Sequence, residues 1–419
     1  MTAELAQRAH WHRSDAHQRS VATKPLELHA ALALAANLVV VLLAGHIPFG
    51  AAGIVARYGS LGLSLLSISR CVLSQGLAPI GRALLLYVPY FMAGLLATLN
   101  SDHIVASANA LTRWSLLTML GIALGATYEQ RTVVRLVSVI LTVSFVMSAI
   151  AALAAPSVGL QEYGSETVWR GIYIGKNQLG WAAAIGVSWA CAVSDEAWSR
   201  RLLLFAPATL CLVGARSMGA IVAAGCAVSY WAALRYLAAK PLSRGLTCVI
   251  LVSVAGLALV ALTAIEELIL SAAGRDLTFT GRTEIWRAYL DVTMETWFVG
   301  RGPGVLSGTS PETLRVLNDV GFGDQKIHSP HSSYIAVLGD AGLLGLAAYL
   351  VVLGKQALYE PLARGTPLAH AVAAIGMLGL VGGIPETRDV FSDGPGTLLF
   401  PLLWAQYVVG RGRGFVPAS

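Results

Sequence analysis

The sequence predicts an all-α, polytopic integral membrane protein with about 12 transmembrane helices, and three observations lead there. The chain is 56% hydrophobic and only 12% charged, where soluble domains carry charge on about a quarter of their residues. Several stretches of roughly 18–22 residues hold almost no charge, enough to cross a hydrocarbon core of about 30 Å at about 1.5 Å per residue. Cations recur at every second junction between those stretches, as expected when alternate junctions face the cytoplasm. A β-barrel would instead show short alternating segments, which are absent.

Taken in order, residues 1–29 form a polar, histidine-rich tail without a signal-peptide cleavage pattern, expected in the cytoplasm. Candidate spans follow at 30–48, 52–69, 83–99, 108–127, 133–155, 178–194, 202–215, 218–237 and 246–265, so that 30–265 holds helices one to nine. A long connection, 266–333, precedes spans 334–353, 367–384 and 396–409 in the segment 334–409, and 410–419 is a second cytoplasmic tail. Placing Arg8, Arg13, Arg19 and Lys24 inside also places inside Arg82, Arg131, Arg135, Arg200, Arg201, Arg235, Lys240, Arg244, Lys355, Arg364, Arg411 and Arg413. The net charge of +6 then reports cytoplasmic junctions rather than a nucleic-acid partner. Cys71, Cys191, Cys211, Cys226 and Cys248 lie in or at the ends of apolar segments, without metal-ligand or disulfide spacing, and read as packing residues.

The cations left on the outer side need another reason to be there. They are Arg170, Lys176, Arg216, Arg388 and those of the long loop: Arg275, Arg282, Arg287, Arg301, Arg315 and Lys326. Connections of this length are usually functional. Within the loop, 281–298 spaces Ile285, Trp286, Tyr289, Val292 and Trp297 as an amphipathic helix, and 300–308 is a glycine-proline turn region.

His328 and His331 sit just before the tenth span, around Pro330. Imidazole at a water–membrane boundary is a candidate general base; a polar turn at an interface is the plainer reading. Asp340, roughly two and a half turns beyond His331, is an ionisable group inside a span, serving either a site or helix packing. Arg282 opens a helix beside Gly281, where guanidinium and backbone N–H groups both suit an anion. Arg301 points to the same chemistry, while Arg287 and Arg315 read as solvated. Lys176 and Asn177 open the sixth span, and Arg216 lies between the seventh and eighth. No acidic pair or His/Cys/Glu cluster has metal spacing, so no cofactor and no metal-dependent chemistry is expected.

The motifs GRTEIW at 281–286, G-x-G-x-G at 300–304 and HSSYIAVLGDAGLLG at 331–345 together resemble the O-antigen ligase and polysaccharide polymerase superfamily. IGKNQLG at 174–180 and ARSMGA at 215–220 resemble its exopolysaccharide-polymerase branch. The resemblance implies a bacterial inner-membrane glycosyltransferase of the GT-C type. It would take undecaprenyl-diphosphate-linked sugars on the periplasmic side and need no metal. It assigns the family histidine to His331, one family arginine to Arg282 and a second to Arg216, although another register sets Met218 at that basic position. His328 has no counterpart, and the asparagine that often follows the family histidine is Ser332 here.

The expected function is therefore inverting transfer or polymerisation of glycans. Arg282 and His331 would be catalytic, and Arg216, Lys176, Asn177, Arg301, His328 and Asp340 would bind substrate. The expected partners are an undecaprenyl-diphosphate-linked oligosaccharide, a glycan acceptor, membrane lipid and other polysaccharide-assembly proteins, with no nucleic acid. Ligation to lipid A core or to protein, a transporter or flippase, and a non-catalytic assembly subunit remain open alternatives. A transporter would be expected to show two related halves, and no duplication is visible.

Overall fold

The computed structural model describes residues 25–42, 51–163, 166–193, 198–238, 282–306, 315, 329–360 and 366–411. The predicted span 246–265 and Cys248 lie outside these residues, as do most of the amino-terminal tail and much of the 266–333 loop.

Among the described residues the protein is all-α apart from one small hairpin. Its helices are α1 (Leu28–Leu42), α2 (Ala51–Gln75), α3 (Leu77–Leu84), α4 (Val88–Leu99), α5 (Ile104–Thr127) and α6 (Gln130–Ala154). Then come α7 (Lys176–Ala192), α8 (Trp198–Ala215), α9 (Met218–Ala238), α10 (Arg282–Met294), α11 (Ser333–Gly354), α12 (Pro367–Gly382) and α13 (Pro395–Arg411). The predicted spans within the described residues fall on helical segments, not all of them long enough to cross a membrane, and the predicted amphipathic segment begins with α10. Between α6 and α7, β1 (Leu160–Tyr163) pairs antiparallel with β2 (Glu166–Trp169), an element the apolar pattern does not announce.

Among the described residues four helices are long and apolar enough to cross a membrane: α5, α6, α9 and α11 with its π-helical extension to Tyr359. A fifth is reached if α2 and α3, bent by 119° at Gly76, count as one span. Leu28–Val41, Val88–Leu99 and Pro367–Gly382 are shorter apolar helices. The predicted span 83–99 is in fact divided between the end of α3 and the twelve-residue α4.

The protein is a membrane protein, and its surface says so. On α6, Val139, Val143, Val146, Met147, Ile150 and Leu153 are exposed, which suits contact with lipid and not with water. The inner helices are buried on nearly all sides: α7 from Leu179 to Ala190, and α12 from Ala369 to Gly379. Because lipid is as apolar as leucine, close packing must hold such helices together. Small residues supply it. A Cβ on Gly121 or Gly125 of α5 would lie 2.3 Å or 2.2 Å from the carbonyl oxygens of Leu398 and Leu402 on α13, so only glycine lets these backbones meet.

α11 is broken at Gly342, whose φ of 64° lies outside the helical region. The break leaves backbone groups to be satisfied, and the segment after α10 satisfies them. Leu343 N–H donates to Trp297 O at 2.8 Å, while Gly339 O and Asp340 O accept from the N–H groups of Arg301 and Gly302, each at 2.9 Å. This is how irregular backbone survives inside a membrane protein. Ile335 packs against the cluster of Ile285, Tyr289, Val292 and Leu306, Thr293 lies beside Gly339 and Phe298 beside Gly342, so the chain from α10 onward runs alongside α11 in the same direction. The start of α10 therefore lies toward the His331 end of α11.

Candidate functional site

The site is built where three connections meet: the start of α7, the turn before α11, and the segment 383–394 that joins α12 to α13. The turn before α11 is set by backbone constraints. Pro330 restricts Ser329, and His331 adopts φ 49°, a left-handed conformation that non-glycine residues rarely take. The 383–388 segment pays for that strain. Ser333 N–H donates to Gly383 O at 2.8 Å, and Ser332 N–H to Thr387 Oγ1 at 3.2 Å. The Ser333 hydroxyl donates to Glu386 O at 3.0 Å and accepts from Arg388 N–H at 2.8 Å. Ser332, at the position where the family often has asparagine, turns its hydroxyl toward Gly383 O at 3.5 Å rather than toward the imidazole.

This stitching brings side chains together. His331 Nδ1 lies 3.4 Å from Glu386 Oε2, with the imidazole 28% exposed and the carboxylate side chain 9% exposed. The other carboxylate oxygen, Oε1, accepts from Asn177 Nδ2 at 2.8 Å. Arg388 Nη2 donates to Oε2 at 3.2 Å. Lys176 precedes Asn177 at the helix start, where its backbone N–H donates to Gln161 Oε1 of β1 at 3.1 Å.

Asp389 follows Arg388 and adopts φ 54°. Its carboxylate accepts from Trp181 Nε1 at 3.0 Å and from Gly396 N–H at 3.1 Å. Gly394 and Gly396 leave the room it occupies, since a Cβ on either would collide with its oxygens. Withdrawal from water pushes this carboxyl up to about 6, against the lowering influence of the Trp181 hydrogen bond and the Arg388 charge. Phe391, also at positive φ, stacks on Tyr90 with ring centroids 4.5 Å apart and so anchors the segment to α4. Arg388 and Asp389 line a cleft whose walls include Tyr87, Tyr90, Trp114, Trp181, Tyr349 and Phe400.

The other expected residues lie as follows. Arg216, at φ 45°, is 61% exposed, with Nη1 3.5 Å from Glu166 Oε2 on β2. The turn that carries it abuts the site, since a Cβ on Gly219 would lie 2.8 Å from Pro385 and 3.9 Å from Glu386 Cγ. Asp340 is fully buried, and its carboxylate accepts from the backbone N–H groups of Gly304 at 2.9 Å and Leu306 at 3.1 Å. That arrangement fastens the 302–306 turn to α11. Arg301 pairs with Glu295 at the end of α10. Arg282 is the first residue of α10, but its side chain lies outside the described residues, as does His328.

The structure thus groups His331 and Asn177 and sets the Arg216 turn beside them. It commits Asp340 and Arg301 to the loop, and it adds Glu386, Asp389 and Trp181, which the sequence reading does not single out. A signal for Glu386 and Asp389 existed: the sequence reading sets Arg388 apart as a cation expected on the outer side, and its neighbours are acidic.

Comparison with known proteins agrees with the motifs. Residues 203–350 match the O-antigen ligase family. A stretch of 194 residues is 28% identical to the exopolysaccharide production protein ExoQ of Rhizobium meliloti (strain 1021), covering 44% of each chain. The chain therefore matches less than half the length of that relative. Both findings support the O-antigen ligase and polysaccharide polymerase superfamily.

Proposed function

From the premise that residues 203–350 carry the O-antigen ligase match, we propose that this membrane protein is a glycan polymerase acting on undecaprenyl-diphosphate-linked oligosaccharides at the periplasmic face of the bacterial inner membrane. The observation that carries the reading is a convergence. His331, Asn177 and the Arg216 turn meet at one end of the helix bundle, and α10 packs alongside α11 with its first residue, Arg282, toward that same end.

The chemistry is an inverting displacement. The acceptor hydroxyl attacks the anomeric carbon of the donor sugar, and His331 takes the hydroxyl proton as the new C–O bond forms. The bond from the anomeric carbon to the diphosphate breaks, and the electron pair leaves with undecaprenyl diphosphate. Arg282 and Arg216 offset the charge that gathers on the departing oxygens, the kind of electrostatic stabilisation that usually contributes most to catalysis. Lys176 and Asn177 hold the glycan, and the aromatic cleft offers an apolar wall to the polyprenyl chain. No step calls for a metal.

The polymerase reading draws on ExoQ, an exopolysaccharide production protein. The family description favours a second reading, ligation to an acceptor such as lipid A core, through the same site. Complementing a deletion strain with His331→Ala tests the shared chemistry: polymer is expected to vanish, and polysaccharide of normal amount and length would overturn the reading. Supplying the purified protein with donor alone separates the two readings, because only a polymerase lengthens it.

A further inference from the structure

We propose that Glu386 is the positioning residue for His331, a carboxylate that fixes the tautomer and direction of the base; this rests on reading His331 as the proton acceptor. Oε2 lies 3.4 Å from Nδ1 of the imidazole. A carboxylate facing Nδ1 keeps the proton on that nitrogen. The lone pair then sits on Nε2, on the far side of the ring, where an acceptor hydroxyl can meet it. The same carboxylate stabilises the imidazolium that forms once the proton has moved.

Three features distinguish this pair from a chance surface contact. The carboxylate is almost wholly withdrawn from water, with a side-chain exposure of 9%. Asn177 Nδ2 donates to one of its oxygens and Arg388 Nη2 to the other, contacts of the kind that favour a carboxylate over a carboxylic acid. The backbones that carry acid and base are joined to each other through Ser332 and Ser333, so the relative placement of the two side chains does not depend on their own contact. Ser333 receives Arg388 N–H and donates to Glu386 O, which spans both flanks of the acid. Glu386 touches no expected substrate atom; it acts through the ring.

The test uses full-length protein purified and reconstituted in liposomes, with Glu386→Gln, Glu386→Asp and His331→Ala variants. The probe is the lipid-linked oligosaccharide fraction extracted from a deletion strain. For Glu386→Gln, kcat is expected to fall about 100-fold while KM for the donor stays within about twofold. The loss is less than the ~10⁴-fold seen for a carboxylate-to-amide change in serine-hydrolase triads, because the pair here is longer. Glu386→Asp, which keeps the charge on a shorter arm, is expected to recover part of kcat. A structural role would instead lower the melting temperature and raise KM. Full kcat in Glu386→Gln, or a raised KM at unchanged kcat, overturns the proposal. Should Glu386→Gln fail to fold, Glu386→Asp decides: kcat about 5- to 10-fold down at unchanged KM supports the assignment, and wild-type kcat ends it. If His331→Ala is inactive and Glu386→Gln is not, only the positioning role falls. If His331→Ala keeps wild-type kcat, the reading of the base falls with it.

Discussion

The indole N–H of Trp181 donates to Oδ2 of Asp389 at 3.0 Å, tying the first turns of α7 to the segment between α12 and α13. The carboxylate it holds is shielded from water, and that shielding outweighs the stabilising contacts, raising its pKa from 3.8 to about 6. The folded state therefore holds this proton more tightly than the unfolded chain does. Between those two values the folded protein binds more protons, so stability falls as pH rises through that window. The detergent-solubilised protein is expected to lose melting temperature from about pH 4 to about pH 6, and Asp389→Asn is expected to flatten that slope. Tryptophan fluorescence melts across the range check this, and an unchanged slope in the variant would refute the assignment.

Arg282 is expected to matter through its fork of donors. Arg282→Ala should reduce polymer formation on the order of 100-fold, the usual scale for removing one preorganised donor to developing negative charge. Arg282→Lys should restore only part of it, because an ammonium cannot grip two phosphate oxygens in one plane. Chain length and yield on a gel are the readout.

Asp340 invites a different experiment. Its carboxylate satisfies two backbone N–H groups in a fully buried place. Asp340→Ala orphans both, at about 1–3 kcal/mol each, so folded yield and melting temperature should drop, with activity falling in proportion to the folded protein recovered. Asp340→Asn, which retains one acceptor oxygen, should lose less. A variant that folds like wild type yet cannot bind donor would return Asp340 to the substrate.

The α5–α13 contact makes the fourth case. Because a Cβ on Gly121 would sit 2.3 Å from Leu398 O, Gly121→Ala must push two backbones apart, and overpacking of this kind costs about 1–3 kcal/mol. A lowered melting temperature is expected, and one equal to wild type would show that the helices can shift freely.

Much of this architecture is legible in the chain. Long uncharged runs locate the helices because lipid excludes charge, and Lys176, Arg216 and Arg388, the cations that the sequence reading sets apart from the expected cytoplasmic junctions, all lie at or beside the site. The hairpin at 160–169 escapes because its strands are four residues each, too short for alternation to register. Glu386 escapes for another reason. Acidic residues weigh little in membrane topology, and its partner stands 55 residues away, so no local pattern joins them. Arg301 and Asp340 look like site residues for the same physical reason that makes them structural: buried charge must find a partner, and here the partners are Glu295 and two backbone amides.

The interruption at Gly342 lets the segment after α10 bond to α11 on both sides of the break. The portion from Ser333 to Leu344 is held on one side by the 297–306 segment and on the other by residues 383–388, while the remainder packs Tyr349 on Tyr90 and leaves Leu350 and Val351 exposed. A change in bilayer thickness is then expected to fall on the span beyond Leu344, which these bonds do not hold. The imidazole stays fixed against its surroundings, so turnover should be nearly insensitive to acyl-chain length in the host membrane.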